Sequence, residues 1–82
     1  MNKIYKLVFK SYGEILQEDY FFHKENALKE AYRLIARAMG LRRSETKNAE
    51  IYGGYKIAFF DPETGKQLKD VYIDVIKTND EV

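Results

Sequence analysis

Apolar residues recur every three or four positions from Lys24 to Met39 (KENALKEAYRLIARAM) and every second position on either side of that stretch. At about 100° per residue, Leu34, Ala27, Ala38, Ala31, Ile35, Leu28, Met39 and Tyr32 fall in one arc of roughly 160°, interrupted by Lys24 alone. Lys29, Arg33, Asn26, Arg37 and Glu30 fill the opposite side. This predicts an amphipathic helix over 24–39. His23 stands at the N-cap position, and Glu25 suits the positive helix end while lying four residues before Lys29. Gly40 supplies a left-handed stop after which Leu41 can fold back.

The flanking stretches have a period of two, that of half-buried strands. Residues 2–12 alternate, with Tyr5, Leu7 and Phe9 on one face and Ile4, Lys6, Val8, Lys10 and Tyr12 on the other. Gly13-Glu14 reads as a tight turn into a second strand over 15–22. There Leu16, Tyr20 and Phe22 fit one register and Ile15 and Phe21 the other, so a bulge near Glu18-Asp19 is expected. Residues 55–60 form a third strand. Asp61-Pro62-Glu63-Thr64-Gly65-Lys66 is the strongest turn in the chain, with Asp, Pro and Gly each at a position that suits it. The last strand covers 68–77, with Val71, Ile73 and Val75 inward, and the residues beyond it fray. Residues 40–53 show no period and read as a long connection with at most a turn of structure. A short helix from Ser44 to Lys47 and a Gly-Gly hairpin over 51–56 are the alternatives there.

The predicted fold is an α+β ββαββ two-layer sandwich, a four-stranded, mainly antiparallel sheet with one helix on one face. Leu7, Phe9, Ile57, Phe59, Val71, Ile73 and Val75 meet the helix. The other face is left to Ile4, Val8, Tyr12, Ala58, Phe60, Tyr72 and Ile76, mixed with Lys6, Lys10, Lys56, Lys69 and Asp74.

Composition changes this picture little. An 82-residue chain is expected to form one domain, residues 1–82, with a modest core. There is no cysteine, which removes disulfides, thiolate nucleophiles and Cys-based zinc sites. No apolar run is long enough to span a bilayer, and the N-terminus lacks a signal-peptide core, so no membrane and a cytosolic location are expected. The net charge of +1 lacks the basic excess of a non-specific DNA binder and the acidic excess of a nucleic-acid mimic.

Catalytic constellations are not apparent. His23 is the only histidine, so no multi-His metal site can form, and it reads as a cap or turn residue. Thr64-Gly65-Lys66 has the tail of a phosphate loop, but Phe60 replaces the required glycine and the context is a hairpin. Gly53-Gly54 lacks dinucleotide-loop spacing. Glu18-Asp19 and Asp61-Glu63 could share a cation or proton only by meeting in space. The expectation is therefore a protein that is not an enzyme and has no cofactor or metal.

Two binding features remain. Lys29, Arg33 and Arg37 stripe the wet helix face, and Arg42 and Arg43 follow its end. Such cations complement the helix dipole, and they also suit phosphate or an acidic protein surface. The uncovered sheet face gathers Tyr12, Phe60, Tyr72 and Ile76, which suit a partner protein, a second copy in a homodimer, or base stacking beside lysines. The first reading is a non-enzymatic protein-binding module acting by surface occlusion, the profile of a small phage or mobile-element inhibitor or adaptor. The alternative is an RNA- or DNA-binding module using the arginines and the Lys/Tyr face.

Overall fold

The structure, a computed structural model, describes residues 2–40 and 45–78. Within them the order is β1 (Asn2–Ser11), β2 (Glu14–Phe21), α1 (Lys24–Met39), β3 (Lys47–Ile51), β4 (Lys56–Phe60) and β5 (Gln67–Thr78). The strands form one sheet in the order β2-β1-β5-β4-β3, with antiparallel neighbours throughout. The α+β class agrees with the sequence pattern. The strand number does not, since the sheet has five strands rather than four.

The additional strand is β3, inside the stretch expected to be a long connection. Its sequence KNAEI has no alternation to reveal it, and its first four residues are exposed. β3 is an edge strand held by its backbone ladder with β4, so no side-chain period is needed to build it. The turn that follows is the Gly-Gly hairpin. Tyr52, Gly53 and Gly54 take φ of 54°, 65° and 89°, a left-handed run that glycine tolerates well. Of the short helix expected to start at Ser44, that residue lies outside the described residues, and Lys47 belongs to β3.

Helix α1 has the bounds the apolar period predicts. It ends at Gly40, whose φ of 69° permits the N–H to reach Ala36 O. His23 holds the N-cap without a side-chain bond to the helix. Glu30 and Arg33 form the ion pair of the wet face, in place of the expected Glu25–Lys29 pair.

The core lies between α1 and one sheet face. Leu7, Ile57, Phe59, Val71 and Ile73 meet Ala27, Ala31, Leu34 and Ile35, all buried. Phe59 sits edge-on to Tyr32, with ring centroids 5.5 Å apart and planes at 83°. Asn48 on β3 donates to the Tyr32 hydroxyl, which fastens that edge strand to the helix. Ala38, inside the predicted buried arc, is exposed.

The opposite face corrects the sequence reading at three places. Val8 and Ala58, expected outside, are 1% and 0% exposed. Both lie directly across from Tyr72 in the register, and Lys10 and Lys56 fold over that ring at 5.4 and 4.3 Å. Long lysine stems thus roof small apolar residues while their ammonium groups stay wet. Tyr12 is not on this face, because β1 ends at Ser11.

The β1–β2 turn is one residue earlier than expected. Ser11 pairs with Glu14, and Tyr12 and Gly13 take φ of 52° and 81°, a two-residue loop with both centres left-handed. The bulge is also displaced. Phe9 pairs with Gln17 and Lys10 with Ile15, so the unpaired residue is Leu16 rather than one near Glu18-Asp19. At the β4–β5 turn, Asp61 accepts from the Glu63 and Thr64 amides at 2.8 and 3.3 Å, as the strong turn signal implies.

Candidate functional site

The residues singled out from the sequence do not converge. Tyr72 is half-buried at the centre of the uncovered face, already flanked by Lys10 and Lys56. Ile76, 40% exposed, lies four residues along β5, about 13 Å away at 3.3 Å per residue. Phe60 sits towards the opposite end, across from Gln67 and beyond a register shift in β5. Tyr12 stands at the hairpin tip, fully exposed. On the helix, Arg33 spends its donors on Glu30, with Nε to Oε1 at 2.7 Å and Nη2 to Oε2 at 2.6 Å. That bidentate bond holds the Glu30 carboxyl below its ordinary range. Arg37 is exposed beside β2. Arg42 and Arg43 lie outside the described residues.

The two acidic clusters do not meet. Glu18 and Asp19 are on β2, whereas Asp61 follows β4, three strands away and so about 14 Å across the sheet. Glu18 pairs with Lys6 at 3.1 Å and raises the lysine pKa through that hydrogen bond, while Asp61 caps its own turn. Among the described residues no three His, Cys, Asp or Glu side chains gather as metal ligands, and no helix is long and apolar enough to cross a membrane.

The exposed apolar groups concentrate elsewhere. Tyr12, Ile15, Leu16, Tyr20 and Phe22 are 103%, 53%, 61%, 62% and 79% exposed. All five belong to the β1–β2 turn, to β2 or to the residue after it. β2 is a sheet edge, paired with β1 on one side only. Its outer side therefore presents the unpaired N–H and C=O groups of alternate residues along EILQEDYF. Proteins usually blunt such an edge with lysine, proline or brevity. The opposite edge follows that rule, since β3 has five residues, begins with Lys47 and carries no large exposed apolar group within the strand, the exposed Tyr52 coming in the turn after it. β2 has neither lysine nor proline. The Leu16 bulge is the one interruption in its ladder.

The bulge also shapes a groove of about 320 Å³ between β2 and α1. Phe9, Leu16, Leu34 and Ala38 line it, with Gln17 and Arg37 at its polar parts. This explains the exposed Ala38: the apolar stripe of α1 extends past the sheet that covers the rest of it. The sequence held no signal for this edge, since apolar residues in both registers of 15–22 suit a strand covered on both faces as well as a bulged one, and strand order is not written in one strand's pattern.

Comparison with protein-family models, with curated proteins and with solved structures gives no match to this chain.

Proposed function

We propose that the protein is a non-enzymatic binding module that engages another protein by adding a strand along β2. One observation carries this reading: Ile15, Leu16 and Tyr20 on β2, with Tyr12 and Phe22 at its two ends, put five large exposed apolar side chains along a sheet edge that has neither lysine nor proline. Backbone pairing supplies affinity in strand addition, and alternate side chains supply selectivity. Binding along β2 also serves occlusion, since the added strand is sequestered by the pairing itself.

A nucleic-acid interface has less support. Arg33 is committed to Glu30, and the Lys10 and Lys56 ammonium groups lie over Tyr72 rather than projecting as free phosphate contacts.

The test is affinity capture from lysate with and without nuclease, using wild type, Leu16→Lys with Tyr20→Glu, and Tyr72→Glu. A protein retained by wild type after nuclease treatment and by Tyr72→Glu, but lost with the β2 double variant, supports the reading. Retention that needs nucleic acid, or that survives the β2 changes, refutes it.

A further inference from the structure

The charge along β2 is one-sided, and this restricts what can pair with it. Glu14, Glu18 and Asp19 lie on the strand and Glu30 on the helix beside it, against Lys6 and Arg33 as paired cations. The two ends also differ. Arg37 stands at the Leu16 end of the groove, whereas Glu18 and Asp19 occupy the stretch that runs on to Tyr20. Asp19 faces the helix side with Gln17, whose amide bonds both Asp19 and Glu30, at 2.5 and 3.2 Å. Glu18 faces the other side.

We infer that the strand received by β2 belongs to a different protein and carries an apolar side chain at the Leu16 groove, with lysine or arginine on the flank that lies opposite Glu18 and Asp19. This rests on the strand-addition reading and adds the chemistry of the partner. An added strand lies about 4.8 Å from β2, with facing Cβ atoms about 5 Å apart, so its side chains reach their opposites directly. The groove takes the apolar side chain against Leu16, Leu34 and Ala38. Successive residues point to opposite faces, so the next two basic residues meet Glu18 on one face and Asp19 on the other. Arg37 disfavours a cation at the groove itself, and the far flank of β2 holds Glu14 alone against Glu18 and Asp19, so the basic excess falls on the Tyr20 flank.

A second copy of the chain fits poorly. Two-fold antiparallel pairing centred on Glu18 or on Asp19 sets identical carboxylates opposite each other, and like charges so placed destabilise a ladder. Moving the centre to Gln17 runs the ladder into the Leu16 bulge, and moving it to Tyr20 avoids like charges but shortens the ladder to the residues from Glu18 to Phe22 and leaves Leu16 unpaired.

The probe is a displayed library of randomised linear peptides of about ten residues, enough to span β2, selected against the full chain. Enriched peptides are then examined in complex by amide exchange. Expected are peptides with an apolar residue flanked on one side by Lys or Arg, which protect alternate β2 amides. Their affinity should fall roughly ten-fold for Glu18→Lys with Asp19→Lys, a pair of exposed charge reversals, and selection against that variant should enrich acidic residues instead. Circular dichroism confirms that the variant is folded, and Leu16→Ser provides an independent loss through the groove. Peptides that protect β2 without a basic excess would overturn the charge selection and leave strand addition standing. Protection confined to another surface, or no enrichment, would overturn both.

Discussion

Phe59 is the largest fully buried side chain, and its removal tests the whole layer arrangement. It stands on β4 under α1 and meets the Tyr32 ring edge-on at 5.5 Å. Truncation of a buried phenylalanine to alanine costs about 3–5 kcal/mol. At about 0.05–0.15 kcal/mol per residue, a chain of 82 residues has about 4–12 kcal/mol in total. Phe59→Ala should therefore leave the protein close to unfolding. Phe59→Leu is the more informative change, because it keeps most of the volume and loses the ring pair. Imperfect repacking and the aromatic contact together set its cost at about 1–2 kcal/mol. For a domain of this size that lowers Tm by about 4–16 °C, from about 4–8 °C per kcal/mol. Urea denaturation followed by far-UV circular dichroism is the assay, since there is no tryptophan. The m-value should stay unchanged. Adding Tyr32→Leu completes a double-mutant cycle with a coupling of about 0.5–1.5 kcal/mol. Tyr32→Phe alone separates out the hydroxyl bonded by Asn48. A Phe59→Leu cost under about 0.5 kcal/mol, the range of surface changes, with no coupling to Tyr32 would refute this core.

Ile35→Ala, at a fully buried position on α1, should cost about 2–5 kcal/mol, and Lys29→Ala on the wet face under about 0.5 kcal/mol; denaturation giving the reverse order would mean the helix faces the other way. Tyr12→Asn should raise stability by about 1 kcal/mol, because asparagine tolerates the left-handed region that tyrosine occupies under strain; an unchanged or lower urea midpoint contradicts this. Glu30 has its pKa lowered chiefly by the hydrogen bond from Arg33, so its contribution is present above its ordinary value of 4.5 and is lost as pH falls through the depressed folded value. The Tm gap between wild type and Glu30→Gln should accordingly be open at neutral pH and close in acid; a gap that widens in acid would reverse the sign.

Much of the architecture was legible from periodicity. The helix from Lys24 to Met39 was bounded by its own apolar arc and by Gly40, and both long hairpin arms showed alternation. The turn at Asp61–Lys66 followed from residue chemistry alone. What escaped was whatever the backbone decides without help from side chains. β3 is polar and exposed, so only its ladder with β4 marks it as a strand. The bulge lay at Leu16 because register is fixed by the partner strand, which a single strand's pattern cannot display.

The uncovered face shows the same division at the level of the candidate site. Period two assigned Val8 and Ala58 to the right face, but exposure followed from neighbours on other strands, where Tyr72 and two lysines roof them. Tyr12, Phe60, Tyr72 and Ile76 are scattered for a related reason: a shared parity puts residues on one side of a sheet without bringing them together. The sequence by itself determined the helix, most of its buried stripe and the inward positions of three strands, because those depend on spacing along one chain. The strand order, with β2 left at an edge and Leu16 turned towards the end of α1, was decided by tertiary structure. Which strand has no neighbour is a property of the whole sheet, and that absent neighbour is what leaves the outward backbone groups of β2 facing solvent beside Ile15, Leu16 and Tyr20.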